Sequence, residues 1–134
     1  MNGRLFWKDF VSGCMTRRLP KNTPDISEIY TLLYQLGLTA NYAGFFHTSY
    51  AVYLALQQPE RLLLATKWLY PAVARHYATT WMRVERSIRT AADIAWSTNA
   101  GFLEKLARQS LYQAPKASKF ISILALHFSL YLAA

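Results

Sequence analysis

The sequence predicts an all-α fold, a single compact domain of about six helices containing a helix-turn-helix. Apolar residues recur every three or four positions through most of the chain, which is the spacing of one helix face. No two alternating runs are joined by a turn signal, as a β-hairpin would require. Of the 134 residues, 53% are hydrophobic and 16% are charged, so the chain can bury a core and is not expected to be disordered.

Basic residues outnumber acidic ones in this chain. Fifteen Lys and Arg against seven Asp and Glu give a formal net charge of +8. This balance favours a polyanionic partner, either nucleic acid or an anionic membrane surface. The single cysteine, Cys14, excludes an internal disulfide and is typical of a reducing compartment, so we expect a cytoplasmic protein.

Residues 1–25 differ from the rest and are predicted to form a basic arm ahead of a domain at 26–134. The charged residues of the arm before its final Asp25 are Arg4, Lys8, Asp9, Arg17, Arg18 and Lys21. Lys8 and Asp9 interrupt its apolar run, so it lacks the uninterrupted core of a signal peptide. The arm either frays or packs loosely on the domain, and an amphipathic lead-in helix is a third alternative.

The first predicted helix follows this arm. Asp25 or Ser27 can cap its start, and Gly37 suits the left-handed position that ends a helix. The residues expected on its inner face are Ile29, Leu32, Leu33 and Leu36. Residues 37–44 then form a connector.

Two further helical runs precede residue 70. The first covers about residues 45–56 and is rich in Tyr and Ala. Pro59 opens the second, residues 60–69. The pattern leaves open whether Pro71 kinks this run or separates two helices.

Residues 70–96 have the pattern of two helices joined by a short turn. Pro71 fits the first position of the first helix, where its missing N–H costs nothing. The apolar stripe of that helix is Val73, Ala74 and Tyr77. Residues 78–80 interrupt the pattern, and either Thr79 or Thr80 can cap the second helix.

The second helix of this pair carries two opposed faces. Its apolar face consists of Val84, Ile88, Ala91 and Ala95. Its polar face consists of Arg83, Arg86, Arg89, Thr90 and Asp93, with Glu85 near the boundary. Arginine can pair bidentately with guanine or clamp a phosphate, so the pattern matches helix-turn-helix DNA binding. A solvated basic surface is the alternative that the spacing alone leaves open.

The run TTWMRVERSIRTAADIAWS, preceded by LYPAVARHY, resembles the DNA-binding effector domain of the sporulation master response regulator, the stage-zero sporulation protein A family. The family has a scaffold helix LYP-x-(I/V)-A-(K/R)-x-(F/Y) and a recognition helix T-T-x-S-R-V-E-R-x-I-R-x-A-x-x-x-A-W-S. The chain keeps Thr79, Thr80, Arg83, Val84, Glu85, Arg86, Ile88, Arg89, Ala95, Trp96 and Ser97. Met82 replaces the family serine, and a weaker likeness extends over about residues 26–132.

The resemblance implies sequence-specific binding of double-stranded DNA, with a recognition helix at about residues 81–96 in the major groove. Arg83 and Arg86 would read guanine. Glu85 would either accept a hydrogen bond from cytosine N4 or hold the Arg86 side chain in position. The expected phosphate contacts are Lys67, Arg75, Thr79, Thr80 and Arg89. The implied target is a short TGTCGAA-type box bound in tandem, and the implied protein partner is the sigma factor of RNA polymerase.

The chain also departs from the family pattern. A receiver domain normally precedes the effector domain, whereas only 25 residues stand there in this sequence. This suggests either a free-standing effector domain or a start lost from a longer gene. Ala43 stands where the family has a lysine before the glycine, and Ser49 where an arginine follows. These exchanges, together with Met82, are expected to lower affinity by removing phosphate contacts while recognition is preserved.

Beyond the recognition helix, a turn is predicted at residues 99–101, followed by a short helix that a break at 114–115 ends. The apolar residues of that helix are Phe102, Leu103, Leu106 and Leu111. Ser118 is the predicted cap of a final helix over about residues 120–132.

The final helix is apolar around much of its circumference. Its run of about 15 residues is shorter than a bilayer span requires. An apolar surface of this extent favours contact with another chain as well as with the core. We therefore predict that Leu124 and Phe128 face a second subunit of a homodimer.

No catalytic or cofactor pattern appears in the sequence. The histidines His47, His76 and His127 are far apart, with no carboxylate or cysteine at metal-ligand spacing, and are expected to be packed or solvated. No phosphate-binding glycine loop is present. We expect no metal, no cofactor and no enzymatic activity.

Two hypotheses compete with DNA binding. One is a truncated effector-like module that dimerises with and modulates a full-length regulator. The other is a basic amphipathic protein on an anionic membrane.

Overall fold

A computed structural model describes residues 24–133 of the chain, and side-chain burial as far as residue 129. Nearly all of the predicted basic arm, including Cys14, therefore lies outside the described residues. The helices in chain order are α1 (Ile26–Gln35), α2 (Ala43–Gln57), a 3-10 helix (Pro59–Leu64), α3 (Ala65–Trp68), α4 (Tyr70–His76), α5 (Trp81–Ala107) and α6 (Ala117–Ala133). Residues 24–133 contain no strand, and the predicted all-α fold with a helix-turn-helix is confirmed.

Helix α1 lies close to the predicted bounds. Asp25 is the N-cap residue in extended backbone, although its side chain makes no capping hydrogen bond. Gly37 follows the helix with a φ of +90°, a conformation that favours glycine. A Cβ atom there would also overlap the side chain of Thr98. The four predicted inner residues of this helix are all buried.

Helix α2 is the centre of the domain. It packs against α1, the 3-10 helix, α4, α5 and α6. Its buried residues occupy most of its circumference: Gly44, Phe45, His47, Thr48, Ser49, Ala51, Val52, Leu54, Ala55 and Leu56. Between the ends of the helix, only the stripe of Phe46, Tyr50 and Tyr53 is half-buried, so α2 lies largely in the interior of the bundle. The sequence predicted where this helix lies in the chain but not that the other helices surround it.

The segment between α2 and α4 differs from the predicted single run. It consists of a six-residue 3-10 helix and the four-residue helix α3. Leu69 (φ −105°, ψ −61°) lies between α3 and α4, and α4 has Pro71 in its first turn. The proline therefore separates two helices instead of kinking one.

Helix α5 continues through the predicted turn at residues 99–101 with a kink. Asn99 has non-helical backbone angles, φ −151° and ψ 60°. Its side-chain nitrogen donates to the Gln35 carbonyl at 3.1 Å, and its side-chain oxygen accepts from the Phe102 N–H at 3.4 Å. The helix ends at Ala107, with Arg108 as a C-cap of left-handed φ (57°). Leu111, predicted to belong to the short helix, therefore lies beyond its end.

Helix α6 corrects two predictions. It begins at Ala117, so Ser118 lies inside the helix and is not its cap. Leu124 and Phe128, predicted to face a second subunit, are 0% and 7% exposed. The reason is that α6 packs against both α2 and α5, which cover its apolar surface within the same chain.

None of the helices within residues 24–133 combines the length and the apolar character needed to cross a lipid bilayer.

Candidate nucleic-acid interface

The turn between α4 and α5 sets the start of the recognition helix. Ala78 adopts a left-handed φ of 54°, and the Thr79 N–H donates back to the Ala74 carbonyl at 2.9 Å. Thr80 is the N-cap, and its hydroxyl oxygen accepts from the Arg83 N–H at 3.3 Å. Of the two threonines that the sequence offered, Thr80 is therefore the cap.

The inner face of α5 anchors the recognition helix in the core. Its buried residues in the first four turns are Val84, Ile88, Ala91, Ala92 and Ala95. This face packs on α2, α4 and α6. Gly44 of α2 lies so close to α5 that a Cβ there would overlap the Ser87 carbonyl oxygen and come within 3.3 Å of the Ala91 Cβ. Small residues therefore bring the two backbones together, and the predicted inner face is correct.

The outer face of α5 carries the arginines. Arg83, Arg86, Arg89, Thr90 and Asp93 are all exposed. The side chains of Arg83 and Arg86 make no hydrogen bond or ion pair with any residue between 24 and 133. Their guanidinium groups are therefore available to a ligand without breaking a contact among these residues.

Glu85 is engaged with Arg89, one turn further along α5. The two form an ion pair, with 28% of the Glu85 side chain and 57% of the Arg89 side chain exposed. Exposed pairs of this spacing contribute less than about 1 kcal/mol to stability, so the contact orients side chains more than it stabilises the fold. The sequence had suggested that Glu85 could order Arg86, but its carboxylate contacts Arg89 instead.

A buried tyrosine lies near this ion pair. Tyr70, in the first turn of α4, is 2% exposed. Burial, with a smaller contribution from the Glu85 charge, raises the pKa of Tyr70 to about 12. The phenol therefore stays neutral near the edge of the arginine face.

The predicted phosphate-contacting residues lie on consecutive elements. Lys67 on α3, Arg75 in the last turn of α4 and Arg89 on α5 are exposed. Thr79 is half-buried and Thr80 is exposed. The Thr80 hydroxyl accepts a hydrogen bond as the cap, so its own proton can still be donated to a phosphate oxygen.

Positions 43 and 49, where the chain departs from the family pattern, differ in their exposure to solvent. Ala43 is exposed at the start of α2, next to the glycine that touches α5. Ser49 is 0% exposed, and its hydroxyl donates to the Phe45 carbonyl at 2.6 Å. Position 49 is buried in the core and therefore gives no support to a phosphate contact there, whereas the loss of one at the exposed position 43 stays a prediction.

A histidine behind the recognition helix was not predicted to have a role. His47 is 8% exposed, and its Nδ1 lies 2.5 Å from the Ser87 Oγ. The Ser87 hydroxyl also donates to the Val84 carbonyl at 2.9 Å, so Nδ1 of His47 is the donor in the shared bond. Burial lowers the pKa of His47 below its ordinary value. These residues are 40 positions apart, and no local pattern in the sequence signals the contact.

No cluster in this part of the structure suits a metal. Within residues 24–133, no three or more His, Cys, Asp or Glu side chains gather where they could hold a metal ion.

A family model described as "Sporulation initiation factor Spo0A C terminal" matches residues 29–128. The chain belongs to this family. The match runs from α1 into α6 and includes every residue predicted to contact DNA. Membership confirms the resemblance seen in the recognition helix.

The Spo0A C-terminal family consists of DNA-binding effector domains of a sporulation regulator, not of enzymes. The chain is therefore an effector domain of the DNA-binding, transcription-regulating type. In this family setting, the exposed arginines of α5 belong to the second helix of the helix-turn-helix, and α4 is the scaffold helix before it.

Proposed function

We propose that this chain is a sequence-specific, double-stranded DNA-binding transcription regulator of the sporulation-initiation type, which inserts the first turns of α5 into the major groove. The observation that carries the proposal is the pair Arg83 and Arg86. Both are exposed and lack a side-chain partner among residues 24–133, on a helix whose opposite face is buried. A rigid helix with two free guanidinium groups near its N-terminus has the geometry for reading base edges.

Each side chain of this face has a proposed role. Arg83 and Arg86 donate to guanine O6 and N7. Glu85 accepts from cytosine N4 with the carboxylate oxygen that Arg89 leaves free, while Arg89 itself holds a phosphate. The remaining phosphate contacts come from Lys67, Arg75, Thr79 and Thr80.

The proposal is tested by gel-shift titration of the chain on a duplex containing the TGTCGAA-type box. A duplex with the same bases in scrambled order is the control, and both titrations use the same salt concentration. We expect tighter binding to the box, because base contacts discriminate while phosphate contacts do not. Equal affinity for the two duplexes would contradict a sequence-specific function.

The competing hypothesis, an effector-like module that pairs with a full-length regulator, has less support. It relied on the final helix as the pairing surface, and Leu124 and Phe128 of that helix are buried in this chain's own core. A homodimer on tandem boxes, contact with the sigma factor of RNA polymerase and a cytoplasmic location remain part of the proposal, since each follows from the function of the family.

A further inference from the structure

One side chain of the recognition helix is exposed although it is apolar. Met82 is 60% exposed, more than any large apolar residue between 24 and 129 except Tyr112. It is the second residue of α5, directly before Arg83. Single exposed apolar side chains are common on protein surfaces. Burial of this one against an apolar group of a ligand would gain free energy.

The position of Met82 on the helix places it among the residues that face DNA. At about 100° per residue, Met82, Arg86, Arg89 and Asp93 fall within about 60° of one another on one stripe. Met82 and Arg86 are four residues apart, or about 6 Å along the axis. Bases of one strand are spaced by about 3.4 Å, so the two side chains reach positions one or two base pairs apart.

The chemistry of methionine decides which base feature it can read. A thioether offers no hydrogen-bond donor and only a weak acceptor, so it cannot pair with the polar edge of a base. The apolar group in the major groove is the C5-methyl of thymine. An unbranched, flexible side chain can pack against that methyl without demanding one geometry.

Resting on the proposed function, we infer that Met82 is a specificity-determining residue that packs on a thymine C5-methyl next to the base pair read by Arg86. It gives the chain a preference for thymine at that position. The serine of the family pattern has no comparable apolar surface, so the preference belongs to this chain.

The experiment replaces each thymine of the box, one at a time and on either strand, by deoxyuridine. This exchange removes only the methyl group and leaves the Watson–Crick edge unchanged. For the wild-type chain, we expect one position at which affinity falls about fourfold, the equivalent of one buried methyl group. Met82→Ser should lose this sensitivity, because the serine hydroxymethyl group has no apolar surface for the thymine methyl, whereas Met82→Leu should keep it.

Tyr112→Ser is the matched control. It truncates a side chain that is 98% exposed in the loop between α5 and α6, and it should leave the deoxyuridine profile unchanged. Wild-type binding that is insensitive to every exchange, or sensitivity that persists in Met82→Ser, would overturn the inference while the proposed function stands. Failure of the wild type to prefer the box over scrambled DNA would overturn both.

Discussion

Arg86 illustrates what a single side chain contributes to a binding face. It lies on the outer face of α5 and has no side-chain partner among residues 24–133, while the neighbouring Glu85 is paired with Arg89. Because nothing in the described fold depends on its guanidinium group, its removal separates binding from stability. Arginines inside ion pairs do not allow that separation, since their truncation also leaves a carboxylate unpaired.

We expect Arg86→Ala to weaken binding to the box by about 1–3 kcal/mol, because a bidentate contact to guanine is lost. The melting temperature should stay close to that of the wild type. Arg108→Ala is the matched control, since it removes an exposed arginine from the C-cap of α5, far along the helix from the turns proposed to read bases. Affinity is measured by titration at one salt concentration. Equal affinities for Arg86→Ala and the wild type would remove Arg86 from the site.

His47 predicts a pH dependence of stability. Burial lowers its pKa in the folded chain, whereas an unfolded histidine titrates near 6.5. Below that pH the unfolded state binds more protons, so the stabilising contribution of the neutral ring is lost as pH falls from about 6.5 through the lowered pKa. The groups that face the ring are Ser87 and Tyr77, both of which are uncharged there.

The measurement is urea unfolding of the wild type and of His47→Gln between pH 7 and pH 5. The wild type should lose more free energy of unfolding over this range, because glutamine does not titrate. His127, whose pKa is lowered by burial and then by Arg108, acts in the same direction in both proteins and cancels in the comparison. Parallel pH profiles would show that His47 does not titrate in this window.

At the scale of the helices, the contact of α2 with α5 positions the recognition helix. Gly44 permits this approach because a Cβ would meet the backbone of Ser87, which cannot rotate away as a side chain can. His47, almost one turn later on α2, adds its hydrogen bond to the Ser87 hydroxyl. One short stretch of α2 therefore contacts the back of α5 beneath the turns that we propose to read bases.

Gly44→Ala should destabilise the domain by about 1–3 kcal/mol, the usual effect of inserting a group into a packed contact. It should also weaken DNA binding by displacing α5. Gly101→Ala is the control, because nothing lies within 4 Å of its added Cβ and an exposed helical glycine is replaced. That variant should gain about 0.5–1 kcal/mol. Chemical unfolding measures the change in the free energy of unfolding for both variants. If Gly101→Ala were also destabilised, the effect of Gly44→Ala could not be assigned to packing against Ser87.

At the scale of the whole molecule, α6 completes the core. Its apolar residues pack on α2 and α5, so the helix that looked available to a partner is largely covered by its own chain. A homodimer on DNA, if it forms, must use a surface other than Leu124 and Phe128. The distinction matters because a charge introduced at these positions tests folding and not association.

Leu124→Arg should therefore unfold the domain or cost about 3–5 kcal/mol, since an unpaired charge would be buried. Ser122→Arg introduces the same charge on the same helix at a half-exposed position and should have a much smaller effect. Thermal melting of the two variants and the wild type makes the comparison. A Leu124→Arg variant that melts with the wild type would show that this face of α6 is open to solvent.

Binding to adjacent boxes tests association directly. With alanine at position 43 in place of a lysine, a single domain has one phosphate contact fewer, so single-box affinity should be modest. Two adjacent boxes should bind about 10²–10⁴ times more tightly if bound domains touch, because the second domain is then held at a high effective concentration. Titrations of one-box and two-box duplexes at the same salt concentration measure this ratio. Equal affinity per box would exclude cooperative tandem binding.

The sequence alone determined the features that depend on neighbours within one or two helical turns. The glycine that ends α1 and the division of α5 into a buried and an arginine-bearing face were predicted correctly. The cap of α5 was narrowed to Thr79 or Thr80, of which the structure selects Thr80, whereas the predicted cap Ser118 was wrong. These features follow from local geometry, because residues three or four apart share a helix face and a cap bonds to residues next to it.

Only the tertiary structure decided which surfaces meet. The central position of α2, the contact of His47 with Ser87 and the burial of Leu124 each join residues far apart in the chain. An apolar stripe shows that a helix must be covered, but it carries no information on whether its own chain or a second one covers it. The packing of the helices decides whether the stripe is covered by its own chain or by another. Burial depends on distances between residues that are far apart in the sequence, and a local pattern does not report those distances.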